Sequence, residues 1–267
     1  TTPLLACTRL HGRLLKKFPV LAQFDHVMLE VKLKGKTIQI DASQPSLKFG
    51  QLPVNILRNE ALRLSPRKVS WVKLDRSLIR NRHTFAFFDL DPRKGIIKGK
   101  LRHRDRGYSA VQTQARIARY EDNAEQYITD EMLAEFPLAS LEHHTIKTEV
   151  FAGEEAVYTR AELITRDYIT QGDSLILIDP LLSESYPFNP LAQADRSAPI
   201  DFGSPIREEF VLMLTIPQGY EFVVVPDEIG VALPFGHGSF VYKYLIVNNT
   251  LQLLSRIKIN RAEFPAF

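Results

Sequence analysis

The feature that most constrains this chain is an alternation of apolar and polar residues interrupted by a single two-residue turn. Val27 to Leu33 alternates, Lys34-Gly35 reverses the chain, and Lys36 to Asp41 alternates again. With Lys34-Gly35 as the loop, Leu33 pairs with Lys36 and Met28 pairs with Asp41. One face then carries Val27, Leu29, Val31, Leu33, Ile38 and Ile40, with Lys36 as its polar member. The other carries His26, Met28, Glu30, Lys32, Thr37, Gln39 and Asp41. A slip of one residue would mix the two sets, so the hydrophobic pattern itself selects this register.

In that register His26 and Asp41 are diagonal neighbours on one face. Such positions lie roughly 7–8 Å apart at the backbone, within reach for an imidazole and a carboxylate. A carboxylate that accepts the proton of one ring nitrogen fixes the tautomer and leaves the other nitrogen to act as a base. Any His and Asp on one hairpin face are by themselves an ordinary surface pair. The spacing therefore permits a base and its orienter without requiring them.

Most of the remaining sequence reads as strands. Short candidates are 70–74 and 83–90, and 109–120 alternates over a longer stretch. Prolines 45 and 53 with Gly50 mark 44–64 as an irregular connector. One helix is predicted, from an Asn123 N-cap to Phe136, stopping before Pro137. Further strands are predicted at 145–151, 156–168, 174–178, 210–216, 220–225, 239–247 and 251–259, with Gly and Pro at the joins. Many short strands with turn signals predict an antiparallel β-sandwich. The domain boundary is placed at the end of the Pro/Arg-rich connector, giving parts 1–68 and 69–267.

Hydrophobic and charged contents of 45% and 24% are those of a globular chain, and no apolar run reaches membrane-spanning length. The chain opens Thr1-Thr2-Pro3 and runs directly into apolar residues, as expected of a piece of a longer polypeptide. Charge is lopsided: residues 1–120 carry a net +17 and residues 121–267 a net −14. Such asymmetry can mark a nucleic-acid-binding half, but no recognisable binding motif accompanies it, so mutual neutralisation of the halves is favoured. Arg102, Arg104 and Arg106 alternate and would share a solvated strand face. His143 and His144 would point to opposite faces and cannot share a metal; Asp89 and Asp91 precede Pro92 and read as a turn. No metal site and no cofactor fingerprint is identified. Trp71, Phe85, Phe87 and Phe88 lie in strand runs and are expected in the core, although an exposed aromatic face could bind sugar or peptide.

The hairpin resembles the transglutaminase-like, papain-like fold. That family opens one strand with aromatic-x-His, here Phe24-Asp25-His26. It ends the next with an apolar residue, Asp, Ala/Pro and Thr/Ser, here Ile40-Asp41-Ala42-Ser43. Thr8-Arg9 and His11-Gly12 resemble the preceding strand and turn. Segments similar to bacterial multidomain members follow in order: 47–53, Gly107-Tyr108-Ser109-Ala110, Asn189-Pro190 with Arg196, Pro199 and Asp201-Phe202-Gly203, and 216–220. The resemblance implies a mainly β chain: the β-hairpin part of a transglutaminase-like α+β core, then an antiparallel β-sandwich with one helix. It also implies a Cys–His–Asp triad with His26 as base and Asp41 as orienter, and a periplasmic or cell-envelope location.

The nucleophile that the resemblance implies sits at a helix N-terminus tens of residues before the His, where its pKa is lowered. Cys7, the single cysteine, lies 19 residues before His26 in an apolar strand-like run and reads as a small buried hydrophobe. The expected function is that of the C-terminal portion of a thiol hydrolase or acyltransferase acting on peptide-like amides. Its expected partners are the missing N-terminal part of the parent and a peptide or protein substrate. The competing expectation is a non-catalytic binding or scaffolding module at the cell envelope.

Overall fold

Lys34 and Gly35 both adopt positive φ, 47° and 78°, the requirement of a two-residue type I′ turn. In this computed structural model, which describes residues 1–11, 14–18, 20–57, 60–66, 68–120, 123–151, 154–186 and 196–266, that turn joins β2 to β3. The elements of the first part, whose last strand runs past the boundary expected at residue 68, are β1 (Thr2–Ala6), β2 (His26–Leu33), β3 (Lys36–Ile40), β4 (Glu60–Ser65) and β5 (Lys68–Lys73). They form one antiparallel sheet in the order β3-β2-β1-β4-β5. The hairpin register is the expected one, with Leu33 opposite Lys36 and Leu29 opposite Ile40.

The burial of this sheet runs against its pattern. Met28 is buried with Leu4 and Ala6 against Leu52, Ile56, Leu57 and Tyr108, on the face that also carries His26, Glu30 and Gln39. The predominantly apolar face is open: Val27, Leu29, Leu33 and Val69 are 63%, 42%, 50% and 57% exposed. Trp71 on this face meets Phe24, at a ring separation of 6.2 Å, and the Lys16 ammonium. The polar residues set into the inner face have partners. Arg63 donates to Glu30 at 2.7 Å. Gln39 donates to the Lys73 carbonyl and accepts from the Asp75 amide. These partners come from distant positions, so the alternation along the hairpin could not reveal them.

The second part contains β6 (Arg80–Asp91), β7 (Ile96–Gly107), α1 (Tyr108–Ile117), α2 (Ala124–Glu135), β8 (Ser140–Phe151), β9 (Glu154–Thr165), β10 (Ile169–Gln171), β11 (Ile176–Ile178), β12 (Ile200–Asp201), β13 (Ile206–Thr215), β14 (Ile229–Ala232), β15 (Gly238–Val247), β16 (Thr250–Ile259) and β17 (Glu263–Phe264). Eight strands make one sheet, β14-β15-β16-β13-β6-β7-β9-β8, antiparallel except where β13 meets β6. The layer packed on its inner face is small, made of α2, the β10–β11 ribbon and their flanking loops. Phe88, Leu101, Leu163 and Leu212 from the strands meet Ile128, Met132 and Phe136 there. Burying each such side chain contributes roughly 1.5–3 kcal/mol. The chain is therefore mainly β with antiparallel sheets, as the strand spacing predicts.

Three segments depart from expectation, the first being the connector 44–64, whose last residues form β4. The predicted strand 109–120 is α1 followed by a short 3₁₀ turn. Gly107, at φ +55°, ends β7, and a Cβ there would stand 2.1 Å from the Ile79 carbonyl oxygen. Past that turn, the Ala, Gln and Arg residues favour helix, and Thr113 anchors it to Asp105 at 2.7 Å. Residues 220–225 form no strand; Phe222 and Val225 pack against the core from an extended loop instead. The α2 helix is as expected, with Asn123 accepting from the Gln126 amide at 3.1 Å.

Beneath α2 lies a buried polar network. Asp105 takes a bidentate pair from Arg82 at 2.8 and 3.1 Å. His103 meets Thr84 at 3.0 Å through Nδ1 and Glu135 at 3.4 Å through Nε2. Burial opposes a charge on His103, but the Glu135 carboxylate outweighs it and the imidazole pKa is raised. Burial pushes Glu135 up, and His103 with Arg82 more than reverses this, so its pKa is lowered. The His103 contribution is present below the ordinary imidazole value of about 6.5 and is lost as pH rises through its raised native value. The Glu135 contribution is present above about 4.3 and is lost as pH falls through its lowered native value. Glu135→Gln is expected to cost about 3–5 kcal/mol near pH 5.5, and less at pH 9. Urea midpoints at the two pH values check this; a pH-independent gap would contradict it.

Candidate active site

The hairpin register brings His26 and Asp41 together. His26 is the first residue of β2 and pairs with Ala6 of β1. Asp41 follows β3 directly, so the diagonal offset set by the turn becomes a contact: His26 Nε2 to Asp41 Oδ2 is 2.5 Å. The Asp41 side chain is 2% exposed and that of His26 16%. The carboxylate is thus sealed beneath the ring, and an edge of the ring still reaches the surface.

Ser43 fixes the carboxylate from the other side. Its amide and hydroxyl both donate to Asp41 Oδ1, at 2.8 and 2.5 Å. One oxygen is thereby assigned to the turn and the other to His26. Burial raises the Asp41 pKa, but the Ser43 hydroxyl, the His26 ring and the Ser43 amide outweigh it, leaving the carboxyl below its ordinary value. An ionised carboxylate only accepts hydrogen bonds, so Nε2 carries the proton and Nδ1 is the basic nitrogen of the neutral ring. The positioning role of Ser43 is not evident from alternation, although an Asp-x-Ser step is itself a signal for a side-chain-to-backbone turn.

Cys7 is 2% exposed, and its thiol donates to the Thr8 carbonyl at 3.3 Å. Among the described residues no hydrogen bond joins Cys7 to His26. Asp25, next to His26, accepts from the amide and hydroxyl of Thr8 and so locks the end of β1 onto the start of β2.

Several segments singled out in the sequence meet at the junction of the two parts. The Tyr108 hydroxyl donates to the Leu52 carbonyl at 2.8 Å, joining 107–110 to 47–53. Arg9 pairs with Asp201 at 3.3 Å, and the Gly203 amide donates to the same carboxylate at 2.8 Å. Gly12 and Asn189-Pro190 lie outside the described residues. Asp91 accepts from the amides of Arg93 and Lys94, which is the local turn expected of it. His143 lies opposite Glu162, and His144 opposite Ala161, on opposite faces of β8.

The family described as a domain of unknown function with solved structure, DUF3858, matches residues 173–266. No curated protein matches the chain. Among solved structures, one described as "a putative protease from Parabacteroides distasonis" is similar at 12% identity and a TM-score of 0.39. The similarity covers 99% of this chain and 35% of that one, so this chain spans about a third of that protein's length.

Asp41→Ala is expected to cost about 1–3 kcal/mol at pH 7, because it leaves His26 without its partner. A lowered native pKa stabilises above the ordinary Asp value and is lost as pH falls through the native one. The difference between the native chain and Asp41→Ala should therefore narrow as pH falls from neutral through the acid range, as read by denaturant midpoints; a gap that does not change with pH would contradict the assignment.

Proposed function

We propose that this chain is the C-terminal portion of a transglutaminase-like thiol hydrolase or acyltransferase that acts on peptide-like amides in the periplasm or cell envelope. The observation that carries this reading is the 2.5 Å contact between His26 Nε2 and a buried, Ser43-braced Asp41. With Nε2 committed to Asp41, Nδ1 accepts the proton of an approaching nucleophile and later returns it to the leaving amine. Asp41 holds the ring orientation and stabilises the imidazolium.

Buried Cys7 is not the nucleophile in this reading. The nucleophile is a cysteine from a part of the parent protein outside these residues. The open apolar face of the first sheet supports it, since exposed Val27, Leu29, Leu33 and Val69 are suited to burial beneath a further layer of the same core.

The test is peptide-amide hydrolysis or acyl transfer by the parent polypeptide. His26→Ala is expected to lower kcat/KM by roughly 10²–10⁴, and Asp41→Ala to lower it as well, with the fold retained. Unchanged turnover in a folded His26→Ala protein would overturn the proposal.

A further inference from the structure

The outer face of the eight-stranded sheet carries a charge arrangement that the His26–Asp41 site does not use. Every outward position of β7 from 98 to 106 is cationic: Lys98, Lys100, Arg102, Arg104 and Arg106. Lys98 and Lys100 have counterions, Glu142 at 3.1 Å and Glu162 at 2.8 Å. Arg102 instead lies directly opposite Arg160 of β9. Like charges in directly opposed positions, with Cβ atoms about 4.5–5.5 Å apart, destabilise a sheet. Both arginines are exposed, and among the described residues neither forms a salt bridge.

The two arginines line a hollow of about 200 Å³ together with Lys100, His143, Thr145 and Glu162. The Arg102 guanidinium is held 5.6 Å from the Phe87 ring centre, which fixes one side of the hollow. Thr145, opposite Arg160, places a hydroxyl on the other side. With His143 neutral, three cations against the Glu162 carboxylate leave a local excess of two positive charges.

We propose that this hollow binds a phosphate group, gripped between the forks of Arg102 and Arg160. A phosphate monoester carries about −1.5 to −2 near neutral pH, which matches the excess, whereas one carboxylate would leave a cation uncompensated. Guanidinium forks present paired donors to phosphate oxygens. The Thr145 hydroxyl and the Lys100 ammonium stand at the rim as further donors. The dianion removes the repulsion between the opposed arginines, so binding and local stabilisation are coupled.

Titration calorimetry on the whole chain at constant ionic strength tests this, with inorganic phosphate, glycerol 3-phosphate and acetate as probes. Both phosphates are expected to bind and acetate to bind more weakly. Binding of inorganic phosphate with exclusion of the ester would identify the free ion as ligand; tighter binding of the ester than of the free ion would identify a phosphate carried on a larger molecule. Arg102→Gln and Arg160→Gln should each weaken phosphate binding at least about tenfold. Lys258→Gln, farther across the same face on β16, should leave it unchanged. Without phosphate, either arginine variant should unfold at an equal or higher urea concentration than the native chain. Acetate binding as tightly as phosphate, undiminished affinity in the arginine variants, or a lowered urea midpoint would each overturn the proposal.

Discussion

The type I′ turn at Lys34-Gly35 is the constraint on which the first sheet and the candidate site both depend. Two residues at positive φ leave one pairing open to β2 and β3. That pairing decides which side chains share a face, and so places His26 and Asp41 within hydrogen-bond distance. A slip of one residue in that pairing would put them on opposite faces. Asp25 and Ser43 then secure the two ends, the first by tying β2 to Thr8 and the second by bracing the carboxylate.

The consequences run outward from this turn. Committing His26, Glu30 and Gln39 to the inner face requires a partner for each, supplied by Asp41, Arg63 and the backbone of Lys73 and Asp75. The same commitment leaves Val27, Leu29 and Leu33 on an open face. The large sheet shows a related division. Its inner face buries an apolar core with a His103, Arg82 and Asp105 polar network, and its outer face presents cations. Tyr108 joins the two parts by a hydrogen bond to the Leu52 carbonyl, and Arg9 by an ion pair and a hydrogen bond to Asp201.

Periodicity and turn chemistry made much of this legible. The hairpin register followed from alternation, and α2 from its cap and spacing. Two kinds of information were not legible. Helix α1 has a period-2 pattern, but the turn at Gly107 and local propensity override it, and the close approach of the Ile79 carbonyl that requires a glycine there comes from far off in sequence. The orientation of the hairpin could not be read either. A predominantly apolar face normally points inward, and it is Asp41, Arg63 and the 73–75 backbone that accommodate the mixed face there. At the candidate site the His–Asp pair was visible in the register, whereas the division of the two Asp41 oxygens between Ser43 and His26 needed coordinates.

The central claim is that His26 is the base for a cysteine elsewhere in the parent protein. It is tested most directly by the pH dependence of thiol alkylation in that protein, compared with His26→Ala. An imidazole paired with a cysteine lowers the thiol pKa well below its ordinary value of about 8.5. The account predicts alkylation of one cysteine with a depressed pKa in the native protein, returning toward the ordinary value in His26→Ala. A thiol that titrates near its ordinary value in both proteins would contradict it.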